Sequence, residues 1–341
     1  MSAGQYIYRV ILTNLLTIYY SMQLLIYFAF TFLKNPFCNP WGQKLKLEPP
    51  PRLRDPKYGV HKYIKVNNTK LHYVESGDPS KPMMLFVHGF PEFWYSWRHQ
   101  IVEFKKDYWC IAVDMRGYGD SERPEGVSSY NIEYLVEDIR DLILQLGREK
   151  CIVVAHDWGG LVACQLREAY PEVLSALIIL SSASSTAWTH EIWTNPVQRK
   201  MSWYVFAFRA PIIPEKFMLM NDLPMYEKTM LFSDKTTTDK DDIECYKYWF
   251  RKPFALTPPI NYYRANFSYS DPDIVEAEGD VPMLVAHASD EPYLSRNILD
   301  TMKKQYGCET IIVDKTGHFL QQEDPEKVNK VIKDFLTKKN L

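Results

Sequence analysis

The sequence lacks the cysteine patterns that bind metals or form a disulfide framework. Its six cysteines are scattered through 341 residues, and none belongs to a Cys-x-x-Cys pair. Several lie in apolar runs, so we interpret them as small buried side chains. Cys38 is interpreted as a free thiol, or as a palmitoylation site if it faces the cytosol. No metal or nucleotide cofactor is expected, because glycine-rich dinucleotide and phosphate-binding loops are also missing.

The sequence also has no large excess of positive or of negative charge. The formal net charge is −2, and neither a basic groove nor an aromatic stacking motif can be identified. We therefore do not expect nucleic-acid binding. The length suits one large domain, or a core that carries an insertion.

Charged residues are also missing from the run Val10 to Leu33 near the N-terminus. As a helix it would be about 36 Å long, enough to cross an apolar membrane core of roughly 30 Å. Its tyrosines and polar residues make it less apolar than an ideal span. A signal peptide and a helix lying in the membrane interface are the alternatives. We predict a membrane anchor over residues 1–34 of a single-pass protein.

Basic residues are more frequent after this run than before it. Arg9 precedes it, whereas six lysines and arginines follow between residues 34 and 57. The positive-inside tendency then places the C-terminal part in the cytosol. The terminal Lys-Lys-Asn-Leu resembles a retrieval signal of the endoplasmic reticulum, our predicted location, although a solvated helix end is the simpler interpretation. Glycosylation patterns at Asn67 and Asn266 favour the opposite orientation.

The region after the anchor divides into a linker and an alternating core. Residues 35–60 are rich in proline and charge, which predicts an extended linker rather than a packed one. From residue 61, short apolar strands alternate with helices, a pattern typical of a largely parallel α/β sheet. We predict strands on both sides of Asn67-Asn68, in the runs beginning at Met83 and Tyr108, and over 151–155, 174–182, 283–289 and 309–314, with helices over 130–146, 159–169 and 325–336.

Residues 183–275 interrupt the alternation. They are rich in tryptophan, tyrosine and phenylalanine, and their helix-like segments have no strands between them. Such aromatic density fits both core packing and the wall of an apolar pocket. We interpret this segment as a helical cap over a core formed by residues 61–182 and 276–341.

Three polar residues that follow apolar strands form the candidate catalytic set. In residues 153–162, VVAHDWGGLV, a buried strand leads through a tight turn into a helix, with Asp157 at the apex. Asp290 and His318 each follow a later strand. Because the carboxyl ends of parallel strands meet at one crevice, the three side chains can converge. Nucleophile, acid and then histidine is the chain order of the α/β-hydrolases.

The motifs around these residues resemble those of the α/β-hydrolase-fold epoxide hydrolases. The turn at Asp157 resembles their nucleophile elbow, residues 88–97 (HGFPEFWYSW) resemble their His-Gly-x-Pro loop, and residues 114–121 (DMRGYGDS) also match. The likeness covers about residues 60–336. With the anchor, the chain is similar to the membrane-anchored group related to epoxide hydrolases 3 and 4. The resemblance implies an α/β-hydrolase fold with a helical cap.

The resemblance also implies a covalent mechanism. Asp157 would displace oxygen at an epoxide carbon and become an ester. His318, oriented by Asp290, would activate the water that hydrolyses this ester. The sequence departs from the family around Asp290, where HASDEP replaces the usual Trp-Gly-x-x-Asp run. Glu291 and Glu276 remain alternative acids.

Further roles are implied by the loop and cap motifs. The backbone N–H groups of Phe90 and Trp158 would hold the oxyanion formed during ester hydrolysis. Tyr204 and Tyr263 stand where the family carries two tyrosines that polarise the epoxide ring. The residues interpreted as loop supports are His88, Gly89, Pro91 and His156.

Two other functions compete with this hypothesis. A haloalkane dehalogenase would share the aspartate nucleophile, but two cap tyrosines, and Phe90 where a halide-binding asparagine would stand, argue against it. A non-catalytic lipid-binding protein would not need the complete catalytic set. The expected partners are therefore a small lipophilic epoxide, with fatty-acid epoxides as one class, together with water and a membrane.

Overall fold

A single mixed sheet forms the centre of the computed structural model, which describes residues 2–37, 39–42, 45–230, 238–270 and 273–341. Within these residues the strands are β1 (Val60–Val66), β2 (Thr69–Ser76), β3 (Met83–Val87), β4 (Trp109–Val113), β5 (Cys151–His156), β6 (Leu174–Leu180), β7 (Met283–Ala288) and β8 (Glu309–Val313). They are arranged in the order β1-β2-β4-β3-β5-β6-β7-β8. β2 pairs antiparallel with β1 and β4, and every other pair is parallel.

Helices flank the sheet and fill the interval between β6 and β7. In the described part of the chain the α-helices are α1 (Ala3–Lys34), α2 (Arg98–Phe104), α3 (Ile132–Gln145), α4 (Trp158–Ala169), α5 (Ser185–Thr194), α6 (Pro196–Met201), α7 (Trp203–Phe208), α8 (Ile213–Leu219), α9 (Pro224–Met230), α10 (Lys240–Phe250), α11 (Thr257–Ala265), α12 (Asn297–Tyr306), α13 (Leu320–Glu323) and α14 (Pro325–Lys338). The predicted strands and helices of the core are confirmed.

The central strands are apolar on both faces. Every residue of β3, β4, β5 and β7 is buried, as parallel strands require when helices cover both sides of the sheet. The β1–β2 hairpin turns at Asn67 and Asn68, whose φ angles are 43° and 57°. Asparagine tolerates this left-handed conformation, which suits a two-residue hairpin. The predicted α/β fold is confirmed.

Helices α5 to α11 form the helical insertion that follows β6. Polar side chains join it to the core. Tyr226 donates a hydrogen bond to the Pro91 carbonyl at 3.0 Å, and Tyr262 donates to the Arg116 carbonyl at 2.7 Å. These contacts place the insertion directly above the loops that follow β3 and β4. It therefore covers the carboxyl edge of the sheet, where the candidate catalytic residues lie.

Among the described residues, α1 is the one helix whose length and composition would allow it to cross a membrane. A signal sequence near an N-terminus satisfies the same criteria. Its 32 residues make it about 48 Å long. The helix packs against the insertion through one face, and most of its large apolar side chains are exposed.

The segment predicted as an extended linker is packed against the protein instead. Leu53 and Tyr58 are buried, and residues 51–54 form a 3₁₀ turn. Arg52 donates to Asp239 and Asp242 at 2.8 and 2.7 Å. Apolar residues interspersed among the charges allow both burial and ion pairing, which composition alone did not reveal. The five described cysteines are buried and free, and Cys38 lies outside the described residues.

Candidate active site

Asp157 occupies a sharp turn between β5 and α4. Its φ and ψ are 49° and −121°, a conformation that is strained for a residue with a Cβ atom and that is typical of a nucleophile elbow. Two glycines make the turn possible. A Cβ on Gly159 would lie 2.3 Å from the Val87 carbonyl oxygen, and one on Gly89 would lie 2.4 Å from the Asp157 Cβ. The backbone therefore presents the carboxylate above the sheet edge.

The loop after β3 supplies a backbone donor to this carboxylate. The Phe90 N–H donates to Asp157 Oδ1 at 2.7 Å. Trp158 directly follows Asp157 as the first residue of α4, so its N–H belongs to a helix N-terminus. Phe90 and Pro91 are joined by a cis peptide bond. The arrangement brings the two predicted oxyanion donors next to the carboxylate that they would serve.

His318 lies between two carboxylates. Its Nε2 is 3.5 Å from Asp157 Oδ2, and its Nδ1 is 2.9 Å from both carboxylate oxygens of Glu291. The predicted partner of His318 was Asp290, and the geometry corrects this. Asp290 is exposed, and its carboxylate accepts a hydrogen bond from Ser289 at 3.2 Å. In the turn after β7 the neighbouring carboxylates point to different sides, and the buried one is Glu291.

The protonation states follow from these contacts. Burial alone would raise the pKa of Asp157, but the hydrogen bond and charge of His318, with the Phe90 N–H, hold that pKa below its usual value. Burial would lower the pKa of His318, but the charges and hydrogen bonds of Glu291 and Asp157 raise it well above its usual value. At neutral pH the resting site therefore contains an imidazolium between two carboxylates.

Two tyrosines from the insertion face Asp157. Tyr204 on α7 and Tyr263 on α11 have ring centroids 5.8 Å apart, and both border the same cavity as Asp157. Burial, together with the negative charge of Asp157, raises the pKa of each phenol well above its usual value. Both phenols therefore remain protonated at neutral pH and can donate hydrogen bonds.

Sequence reasoning missed a third tyrosine in this cavity. The Tyr293 ring centroid lies 5.5 Å from that of Tyr204 and 4.9 Å from that of His318. Burial, then the charges of Glu291 and Asp157, raise the pKa of Tyr293 to about 12. Its position two residues after Glu291 was the available signal, because that loop carries the acid.

A buried network holds the loops that meet at the site. His156 Nδ1 is 2.6 Å from Glu92 Oε2, and its Nε2 is 2.9 Å from the His318 carbonyl oxygen. Glu92 also accepts from the Gly89 N–H at 2.9 Å. His88 Nε2 accepts from the Met115 N–H at 3.1 Å. Both histidines thus contact the loops, and their role as loop supports stays a prediction. Glu92 is the member of the network that sequence reasoning missed.

Apolar side chains line a cavity of about 160 Å³ that leads to Asp157 and His318. A second cavity, of about 20 Å³, lies against Asp157, and Trp188 and Leu294 are among the residues that line it. In the part of the chain that the structure describes, no cluster of three His, Cys, Asp or Glu side chains could hold a metal ion. The main cavity is lined by Phe90, Pro91, Asp157, Trp203, Tyr204, Phe208, Phe217, Met218, Met225, Thr229, Tyr263, Tyr293, His318 and Phe319.

Comparison with known proteins identifies the family of this chain. Residues 82–325 match the family described as the alpha/beta hydrolase fold. The chain is 36% identical to epoxide hydrolase 4 of Mus musculus over 304 residues, 85% of this chain and 83% of that protein. It is 40% identical to epoxide hydrolase 1 of Caenorhabditis elegans over 295 residues, 81% of this chain and 70% of that protein. The chain belongs to the epoxide hydrolases of the α/β-hydrolase fold.

Solved structures of this family agree with the assignment. A Bacillus megaterium epoxide hydrolase in complex with an inhibitor superimposes with a TM-score of 0.73 at 31% identity. The match covers 81% of this chain and all of that one. An epoxide hydrolase from Vigna radiata gives a TM-score of 0.70 at 31% identity, covering 82% and 98% of the two chains. The predicted family and enzyme class are confirmed.

The two neighbouring carboxylates after β7, Asp290 and Glu291, allow a direct test of which one orients His318. We expect Glu291→Gln to lower kcat by about 10²-fold, since the amide neither charges nor orients the imidazole in the same way. Asp290→Asn is the matched control and should leave kcat within about twofold, because exposed surface substitutions have small effects. Steady-state kinetics on one epoxide compares them. A larger loss of kcat in Asp290→Asn than in Glu291→Gln would mean that Asp290 is the acid that orients His318.

Proposed function

We propose that this epoxide hydrolase converts lipophilic epoxides, fatty-acid epoxides among them, into vicinal diols through an ester on Asp157. One observation carries the proposal. The Asp157 carboxylate faces His318 and the phenols of Tyr204 and Tyr263 within a single apolar cavity. A nucleophile, a base and two proton donors are thus gathered where a small apolar substrate can bind.

In the first step, a carboxylate oxygen of Asp157 attacks one carbon of the epoxide ring. The new C–O bond forms as the ring C–O bond breaks, and the released electron pair stays on the ring oxygen. Tyr204 and Tyr263 donate hydrogen bonds to that oxygen, and one of the two phenols transfers its proton to it to form the first hydroxyl group. The resulting tyrosinate recovers a proton from the His318 imidazolium through solvent, which leaves a neutral imidazole. The low pKa of Asp157 keeps the nucleophile ionised.

In the second step, His318 removes a proton from a water molecule that attacks the ester carbonyl carbon of Asp157. The Phe90 and Trp158 N–H groups stabilise the oxyanion. The acyl C–O bond then breaks, and the departing alkoxide takes the proton of the carboxyl group formed on Asp157. The diol leaves, and the Asp157 carboxylate is restored beside the His318 imidazolium. Forming the ester removes the negative charge of Asp157, one of the groups that raise the pKa of His318. The imidazole therefore becomes a base when the ester needs it.

Lipophilic substrates suit both the cavity and the N-terminal helix. The cavity wall consists mainly of aromatic and aliphatic side chains, which favour apolar substituents through the hydrophobic effect. We propose that α1 attaches the enzyme to a membrane, that of the endoplasmic reticulum, with the catalytic part in the cytosol. The apolar composition of α1 and the basic residues that follow it support this placement.

A single turnover in ¹⁸O-water tests the mechanism. Excess enzyme is mixed with a long-chain fatty-acid epoxide, and the diol and the Asp157 peptide are analysed by mass spectrometry. The ester route puts ¹⁸O into the Asp157 carboxylate and leaves the first diol unlabelled. A diol labelled directly from water would contradict the ester route. Halide release from haloalkanes, with no diol from any epoxide, would favour the dehalogenase alternative.

The two cap phenols should act on ring opening rather than on ester hydrolysis. Tyr204→Phe and Tyr263→Phe are each expected to slow ester formation by about 10²-fold, since each loses one donor to the developing oxyanion. Rapid-quench measurement of the Asp157 ester gives this rate. Tyr293→Phe, which removes a phenol from the same cavity, should retain most of the rate of ester formation. Unchanged ester formation in both cap variants would contradict the assigned role.

A further inference from the structure

Helix α1 contacts the rest of the protein along nearly its whole length. Near its start, the Arg9 guanidinium lies 4.8 Å from the Trp193 ring centroid. In its middle, the Tyr20 ring centroid is 6.0 Å from that of Trp203. Near its end, the Phe32 ring centroid is 5.4 Å from that of Trp41, whose indole N–H donates to the Lys216 carbonyl of α8 at 2.8 Å. The helix is therefore docked on the molecule and does not project away from it.

This docking conflicts with a helix that crosses the bilayer. From Arg9 to Phe32 the docked stretch is about 35 Å long, more than the roughly 30 Å of a bilayer's apolar core. A spanning α1 that kept these contacts would carry the cap surface into the hydrocarbon. That surface includes charged side chains, such as Lys216 near Trp41 and Arg209 near Tyr269. Burying such charges in lipid costs several kcal/mol.

The opposite face of α1 is apolar and exposed. Its large side chains have 44–77% of their surface accessible, far more contiguous apolar surface than soluble monomers usually present. Ile212, at the start of α8, is 67% exposed, and α8 is one of the helices on which α1 packs. The exposed residues of this outer face are Ile7, Tyr8, Ile11, Leu15, Ile18, Tyr19, Met22, Leu25, Ile26, Phe30 and Leu33.

The cavity that leads to Asp157 is walled by side chains that touch α1. Trp203, which contacts Tyr20, lines the cavity and is 36% exposed. Phe217 also lines it, and its ring centroid lies 5.9 Å from that of Tyr27. Both side chains are partly exposed, so part of the cavity wall reaches the protein surface beside the docked helix, whereas His318 in the same cavity is buried.

We infer that α1 lies in the plane of one membrane leaflet, with its outer face among the lipid chains, and that the cavity takes its substrate from that leaflet. The face has the length, the apolar side chains and the tyrosines of an interfacial helix. The inner face is occupied by the cap, so only the outer face is available to lipid. The part concerning substrate entry rests on the proposed epoxide hydrolase mechanism, whereas the position of α1 does not.

Topology in sealed microsomes tests the helix position. Epitope tags are placed before Ser2 and after Leu341, and protease is added with and without detergent. An in-plane helix leaves both tags on the same side, so intact microsomes should lose both or neither. Digestion of only one tag until detergent is added would show a spanning helix and overturn the inference.

Cross-linking tests whether the docked contact persists in the membrane. In a Cys38→Ser background, Tyr20→Cys with Trp203→Cys should be joined by a short bismaleimide. Tyr19→Cys with Trp203→Cys is the matched control, because Tyr19 lies on the outer face and should not be joined. Equal yields from both pairs, or none from either, would contradict docking.

Outer-face variants test the role of the leaflet. Leu15→Glu with Met22→Glu should abolish co-flotation with phosphatidylcholine vesicles. It should raise KM about tenfold for a membrane-dissolved epoxide while leaving kcat on a short water-soluble epoxide unchanged. An unchanged KM would overturn substrate entry from the leaflet. A second copy of the chain would cover the outer face if the unmodified protein formed a dimer and did not bind vesicles, while the variant was a monomer. That result would overturn the inference. No diol from either epoxide would instead reject the proposed mechanism, and the topology result would stand independently.

Discussion

Asp157→Ala should reduce diol formation by about 10⁶-fold, the largest loss expected of any single substitution in this enzyme. Without the carboxylate, no atom in the cavity is placed to form the ester, and the tyrosines can then only polarise the epoxide toward uncatalysed attack by water. The rate is measured as product formed per enzyme over long incubations, with mass spectrometry of the peptide that contains residue 157.

Stability must be separated from catalysis in this variant. Alanine at φ 49° is strained to about the same extent as aspartate, so the fold should persist. Removing the buried carboxylate also leaves His318 with Glu291 as its remaining close carboxylate. We therefore expect a cooperative melting transition similar to that of the unmodified protein. Activity within about tenfold of normal would mean that water attacks the epoxide directly and that Asp157 is not the nucleophile.

Much of this site could be predicted because it depends on local sequence. The turn at Asp157 needs glycines at fixed positions, and those glycines are visible in the chain. His318 follows a strand at the sheet edge where Asp157 lies, so parallel topology alone brings the two together. The cap tyrosines were accessible only through family resemblance, since nothing local distinguishes Tyr204 from its many aromatic neighbours.

The acid was harder to predict for a geometric reason. Asp290 and Glu291 are adjacent carboxylates after β7, and which of them faces His318 depends on the backbone path of the turn. The Asp290 N–H donates to the Thr316 carbonyl at 3.0 Å, a contact between residues 26 positions apart. This long-range bond links the two loops and accompanies a turn in which the Glu291 side chain faces inward. No spacing rule in the sequence contains that information.

The position of α1 illustrates the same limit. Composition predicts that the helix prefers an apolar environment, but not whether it spans or lies flat. Whether α1 spans the bilayer or lies flat depends on its contacts with residues far along the chain, such as Trp193 and Trp203. The packing of the predicted linker also depends on residues distant in the sequence, because the carboxylate partners of Arg52 lie on and next to α10.

His318→Gln is expected to lower kcat by about 10⁴-fold while leaving ester formation comparatively fast. Ring opening uses the Asp157 carboxylate and the phenols, which this substitution retains. Because the loss of His318 raises the pKa of Asp157, the reaction is run at alkaline pH, where Asp157 is ionised. Ester hydrolysis needs a base, and glutamine cannot accept the proton from water. The enzyme should therefore stop after one turnover, with the substrate attached to Asp157. Acid quenching and mass spectrometry should show a stoichiometric adduct on that peptide.

Acidic pH should reproduce this arrest in the unmodified enzyme. The pKa of Asp157 lies below its usual value, so the nucleophile stays ionised as the pH falls. The remaining charge of Glu291 still raises the pKa of His318 once the ester has formed. As the pH drops through that pKa, the imidazole becomes protonated and hydrolysis slows before alkylation does. The fraction of enzyme carrying the ester should therefore increase toward low pH in the unmodified protein. It should not increase toward low pH in His318→Gln, because ester hydrolysis there lacks its base at every pH. A constant fraction in both proteins would mean that His318 is not the base that limits ester hydrolysis.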